Sequence, residues 1–201
     1  MARSFCLALS LALMVAPAGA QSPPRVDPAP PKADVKPAPP VAPVTLDSLF
    51  EKLAKARSEQ EGRAIANQIE RRWQRSGSDT ADLLMSRVVQ LMSAKDNERA
   101  LDLLDYVIQL NPGWAEAYNK RATVFFMMDD VEGSMRDIRA TLAREPRHFG
   151  ALAGLGMILQ KLDKPKAAFE ALSLALKLHP QMERLQGMVD RLRLEVEDRR
   201  L

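Results

Sequence analysis

Between residues 81 and 182 apolar positions recur at helical spacing in paired runs, and a proline follows the second run of each pair. Pro112, Pro146 and Pro180 lie 34 residues apart. Superimposing the chain on itself at that interval aligns small Ala100, Ser134 and Ala168 and apolar Leu104, Ile138 and Leu172. Earlier in each unit it aligns Leu84, Tyr118 and Leu152, then Leu91, Phe125 and Leu159. The period predicts three units, 81–114, 115–148 and 149–182, each a pair of short helices.

Each break has a local cause. Asp96-Asn97, Asp129-Asp130 with Gly133, and Asp163-Lys164-Pro165 separate the two runs of a unit. Asp and Asn accept unpaired amides at a helix start, and proline is tolerated in a first turn. The prolines after each second run push the preceding residue away from helical angles. Ala122 and Gly156 on first helices, facing Ala100, Ser134 and Ala168 on second helices, allow close crossings. Val88 takes the small place in the earliest unit, so that pair is expected to be more open.

These units resemble tetratricopeptide repeats. The resemblance rests on Leu84, Val88, Leu91, Ala100, Leu104, Val107 and Pro112, then on Tyr118, Ala122, Phe125, Ser134, Ile138, Thr141 and Pro146. In the third unit Leu152, Gly156, Leu159, Ala168, Leu172, Ala175 and Pro180 carry it. Val88 for a small residue, and Arg87 and Arg121 where leucine is usual, depart from the pattern. The resemblance implies an all-α fold, a right-handed α-solenoid of antiparallel helix pairs. Residues 46–75 read as a degenerate repeat or cap, with Arg57 and Glu70 at core places and no proline at Asp79 or Thr80. Residues 183–201 read as a C-terminal capping helix, with Leu185, Val189 and Leu192 on one side.

The start of the chain adds a compartment. Arg3 precedes a largely apolar run, Ser4 to Val15, and Ala18-Gly19-Ala20 suits a signal peptidase, so 1–20 is expected to be a cleaved signal peptide. The run is shorter than the roughly 20 residues a membrane span needs, and no later segment supplies one. Cys6, inside that run, is the single cysteine, so the mature chain is expected to form no disulfide. Residues 21–45 hold nine prolines and read as a disordered, extended linker. The signal points to export, and the resemblance to small exported repeat proteins implies a bacterial, periplasmic protein.

Composition excludes several functions. Charged residues make up 27% of the 201, but Lys and Arg exceed Asp and Glu only by a net +3, too little for nucleic-acid binding by charge alone. No phosphate loop, metal-ligand spacing or nucleophile triad stands out, so no enzyme, metal or cofactor is expected. His148 and His179 fall near helix ends, where dipole interactions or simple surface exposure account for them. Trp73 and Trp114 read as packing residues near helix junctions.

The resemblance implies peptide or protein binding on the concave surface made by the first helices. The residues it places there are Asp82, Met85, Ser86, Val89, Glu116, Asn119, Lys120, Thr123, Met127, Ala153, Met157, Gln160 and Lys161. Val89, Met127 and Met157 serve equally well as inter-repeat core. Asn119 and Gln160 suit backbone groups, Lys120 and Lys161 acidic groups, and the methionines irregular apolar side chains. A grip on a terminal carboxylate, known in the family, is poorly matched, because Glu51 and Glu116 stand beside Lys55 and Lys120. The expectation is a non-enzymatic adaptor or scaffold for an unidentified protein or peptide. The alternatives are a self-associating homodimeric module and an accessory subunit of an envelope enzyme or transport complex.

Overall fold

The computed structural model describes residues 44–198. The expected signal peptide and all but the last two residues of the proline-rich linker lie outside them. Among the described residues are nine helices: α1 Leu46–Lys55, α2 Glu59–Trp73, α3 Asp79–Ser93, α4 Asn97–Leu110, α5 Ala115–Met127, α6 Val131–Arg144, α7 Phe149–Lys161, α8 Pro165–Leu178 and α9 Glu183–Asp198. The fold is all-α, built of antiparallel helix pairs α3/α4, α5/α6 and α7/α8 stacked in chain order, with α9 packed on α8.

The turn inside each pair is the same object three times. Lys95, Asp129 and Asp163, 34 residues apart, adopt the left-handed conformation with φ of 59°, 65° and 52°. Each is followed by an amide that reaches back five residues: Asp96 N to Leu91 O, Asp130 N to Phe125 O and Lys164 N to Leu159 O, all at 2.9 Å. That pattern satisfies the last carbonyls of the first helix and reverses the chain at once. Asp96 and Asp130 then cap the second helix, their carboxylates accepting from Arg99 N and Gly133 N. Pro165 opens α8 in its first turn.

Close crossings occur where small residues meet. A Cβ on Gly156 would lie 2.2 Å from Leu172 Cδ2, so α7 and α8 touch at a distance only glycine allows. In the preceding pair the Ser134 hydroxyl donates to Ala122 O at 2.8 Å, tying α6 to the α5 backbone. With Val88 at the equivalent place, α3 and α4 make a looser pair. Arg121, the residue standing where leucine is usual, donates to Asp137 through Nε at 2.6 Å and to Asp105 through Nη1 at 2.6 Å. One guanidinium thus links α4, α5 and α6, and those carboxylates hold it charged.

Residues 46–75 form a helical hairpin whose apolar side faces elsewhere than the α3/α4 core. Leu49, Phe50, Leu53, Ile65, Ala66, Ile69 and Trp73 cluster with Phe149, and Leu178 packs against them. The hairpin lies against the turns that join one pair to the next. Asn111 Nδ2 donates to Ser76 O, Trp114 Nε1 donates to Trp73 O at 2.7 Å, Arg147 Nη1 donates to Asp47, and Gln181 Nε2 donates to Ala56 O at 2.8 Å. The two inter-pair turns and the turn from α8 into α9 therefore carry the hairpin along one edge of the stack.

Candidate binding groove

The exposed faces of α5 and α7 frame a cleft. Asn119, Thr123 and Phe126 from α5 face Gly150, Gly154 and Met157 from α7 across a pocket of about 140 Å³, with Ser134 and Ile138 of α6 at its base. Gly150 and Gly154, one helical turn apart, leave the α7 backbone bare, and a Cβ at Gly154 would meet nothing nearer than Ile138 Cδ1 at 3.6 Å. Beyond Gly150 the cleft continues into a pocket of about 170 Å³ bounded by Glu70, Trp73 and Gln74 of the hairpin and by Glu116, Asn119, Lys120 and His148 of the repeats. The hairpin thus forms a wall of the groove.

Charge at this junction is organised around Glu116, which is only 4% exposed. Its carboxylate accepts from Lys120 Nζ at 2.7 Å, from Asn119 Nδ2 at 3.0 Å and from His148 Nε2 at 3.0 Å. The other ring nitrogen, Nδ1, accepts from Ala151 N at the start of α7, which assigns the proton to Nε2. Burial opposes the Glu116 charge, but the His148 hydrogen bond and the Lys120 ammonium outweigh it, so its carboxyl is held below the ordinary value. Glu70, across the pocket, is pushed up, first by burial and then by the Glu116 charge.

The histidines correct the surface reading made from the sequence. His148 is 3% exposed and stacks on Trp73, ring centroids 4.2 Å apart and planes at 15°. His179 is 7% exposed and packs edge-on against Phe149 at 5.2 Å. Both are buried because the hairpin covers the turns that carry them. Trp73 and Trp114 are buried at helix junctions.

The residues assigned to the concave surface do not all share one site. Asn119, Thr123 and Met157 meet at the α5/α7 cleft, and Glu116 and Lys120 bound its extension. Val89, Met127 and Met157, for which a core place was the alternative, are 45%, 48% and 43% exposed. Met85 and Ala153 are buried in apolar clusters, Asp82 accepts from Ser76 N, and Ser86 donates to Asp82 O. Gln160 is exposed, and Lys161 pairs with Asp129. Sequence reasoning passed over Phe126, Gly150 and Gly154, although each lies at helical spacing from an assigned residue. It also passed over the α2 wall, for which the repeat pattern carries no signal.

Among the described residues no group of three or more His, Cys, Asp or Glu is placed to hold a metal ion, and no helix is long and apolar enough to cross a membrane.

No family model matches the chain. A TPR repeat-containing protein of Rhizobium etli is 40% identical over 147 residues, which span 73% of this chain and 72% of that protein. Among solved structures, the Sgt2 TPR domain from Aspergillus fumigatus superposes with a TM-score of 0.56 at 18% identity, covering 61% of this chain and 83% of that one. The first TPR of Spaghetti (RPAP3), bound to the HSP90 peptide SRMEEVD, gives 0.55 at 15% identity over 58% of this chain and 93% of that one. The Yersinia enterocolitica type III secretion chaperone SycD, in complex with a peptide of the translocator YopD, gives 0.55 at 15% identity over 59% and 95%. The structural likenesses establish the fold, the sequence identity to the Rhizobium protein establishes kinship, and the chain belongs to the tetratricopeptide repeat proteins.

Proposed function

We propose that this protein is a non-enzymatic adaptor of the bacterial periplasm that binds an extended segment of a partner protein in the cleft between α5 and α7. The observation that carries the reading is the pairing of a bare α7 backbone at Gly150 and Gly154 with Asn119, Thr123 and Met157 around one pocket. Such a surface admits a partner main chain closely, offers it amide and hydroxyl groups, and gives its side chains a thioether that adapts to their shape. Two of the solved relatives by fold carry a bound peptide. The periplasmic assignment is supported by Arg3, the apolar run after it and Ala18-Gly19-Ala20.

The test uses the protein isolated from its native envelope with a photo-crosslinking amino acid in place of Thr123, beside a variant carrying Asn119→Ala and Met157→Ala. A partner that crosslinks at position 123 and is lost from the folded double variant supports the reading. No crosslink at position 123 moves the site elsewhere, equal crosslinking in both shows that Asn119 and Met157 do not hold the partner, and a self-crosslinked dimer replaces the adaptor by a self-associating module. Cell fractionation with a mature amino terminus at Gln21 is the expected outcome for the compartment.

A further inference from the structure

A second pocket, of about 940 Å³, lies where the hairpin, α7 and α9 meet. It shares Met157 with the α5/α7 cleft and otherwise has its own walls. The residue that sets it apart is His179, which lines it while being almost wholly buried, with neither ring nitrogen hydrogen-bonded. A neutral imidazole always carries one donor and one acceptor, so two hydrogen bonds are missing there. The equivalent residues one and two repeats earlier are Glu145 and Asn111, and both are satisfied: Glu145 accepts from Trp73 Nε1 of the hairpin and Asn111 donates to Ser76 O in the loop just after it. In the last repeat that partner is absent and a cavity takes its place. Gln181 beside it shows the same deficit, its Nε2 donating to Ala56 O while its buried Oε1 has no partner.

The surroundings specify the chemistry of what would fill it. Met157, Met182, Leu185 and Met188 supply an adaptable apolar lining. The charged lining groups are Arg63, Arg184 and Arg191 against Glu59 and Glu183. Arg63 is paired with Glu59, whereas neither Arg184 nor Arg191 is in an ion pair with a described residue. Arg191 folds back over the bare helix surface at Gly187, its Nη1 3.8 Å from where a Cβ would stand. Two guanidinia suit one carboxylate, and Glu59 and Glu183 disfavour a dianion. The volume fits an organic molecule or a short peptide segment.

We infer that this pocket is a binding site for an apolar carboxylate, its head held by Arg184 and Arg191 above His179 and its apolar body seated among the methionines. The carboxylate comes either from a free alkyl acid or from an acidic side chain within an apolar peptide. Burial holds the His179 imidazole below its ordinary value, and an adjacent carboxylate opposes that bias, so binding near the pH where the ring titrates is accompanied by proton uptake. The inference does not depend on the α5/α7 reading, and either can fail alone.

The chain has two histidines, so its imidazole resonances give a direct readout on the intact protein. Decanoate, decanol and the blocked peptide acetyl-Leu-Leu-Glu-Leu-Leu-amide are titrated in turn, with calorimetry in two buffers of different ionisation enthalpy. The expected result is a saturable shift of the His179 signals but not of those of His148, with proton uptake, for decanoate, for the peptide or for both. Decanoate alone identifies a free acid as the source, and the peptide alone an acidic side chain. The exposed Arg184→Gln, Arg191→Gln pair should weaken binding at least tenfold, and His179→Phe should lose the proton uptake without lowering the melting temperature. Absence of any His179 shift with both carboxylates, equal binding of decanol, or undiminished binding by the arginine variant overturns the inference.

Discussion

Replacing Trp73 by alanine should release the α1/α2 hairpin while leaving the repeats folded. The indole stacks on His148 and lies 5.0 Å from the ring of Phe149 and 6.1 Å from that of Phe50, with Nε1 donating to Glu145. Truncating a buried Trp costs about 3–5 kcal/mol. The long-range polar ties are smaller: the exposed Arg147–Asp47 pair is worth about 0–1 kcal/mol, and the Gln181 to Ala56 hydrogen bond about 1 kcal/mol. Trp73 therefore outweighs each of them, and a loss of about 4 kcal/mol raises the opening constant of the hairpin about a thousandfold. Hydrogen exchange read by mass spectrometry on peptides from 46–74 and 81–178 separates local opening from global unfolding. Exchange in 46–74 should accelerate by about three orders of magnitude while α5 to α8 keep their protection. Unchanged exchange in the hairpin, or equal loosening of α7 and α8, would refute the argument that the hairpin is a separate unit pinned by one side chain.

Gly156→Ala drives a methyl to within 2.2 Å of the buried Leu172; the overpacking costs about 1–3 kcal/mol, offset by about 1 kcal/mol of helix propensity, so urea unfolding should show a small net loss. His179→Phe removes two unsatisfied buried nitrogens and should raise stability at pH 7 by about 1–3 kcal/mol in the same assay. The folded state holds His179 below its unfolded value of 6.5, so below about pH 6.5 the unfolded chain binds a proton that the folded chain refuses. Stability should then fall with pH, at up to about 1.4 kcal/mol per unit, and His179→Phe should lack that limb when the two chains are compared from pH 8 to 5. Glu116, held below its ordinary 4.5, adds stability that is present above pH 4.5 and disappears as pH falls through its lowered value; Glu116→Gln should remove that acid-labile part and cost about 2 kcal/mol at pH 7.

The repeats were legible because their determinants are local. A proline after each second helix, an Asp at each turn within a pair and a small residue at each crossing act within a few residues of themselves. The left-handed turn residues were harder to see, since Lys95, Asp129 and Asp163 replace the glycine that normally marks such a place. The docking of the hairpin was not legible. Its partners, Arg147, Phe149 and Gln181, lie far along the chain, and helical periodicity records which face is apolar but not which surface that face meets. The buried state of the histidines follows from that docking, so it was hidden for the same reason. One clue was present in the alignment: His148 falls in the same column as Trp114, where a bulky ring anchors the turn. The groove was half visible, because the pattern located the α5 and α7 faces, while its second wall comes from the hairpin.

The hairpin also sets an order of events. Every repeat contact joins neighbours in the chain, so each pair can form as soon as its own residues are present. The hairpin is different, since Asp47 meets Arg147 across 100 positions and Ala56 meets Gln181 across 125. Closing such spans before the intervening pairs exist costs chain entropy that the isolated hairpin has few contacts to offset. The helices synthesised before the repeats are consequently among the last to reach their final seat, and until they do, the turns carrying Trp114, His148 and His179 stand open to whatever first meets the chain.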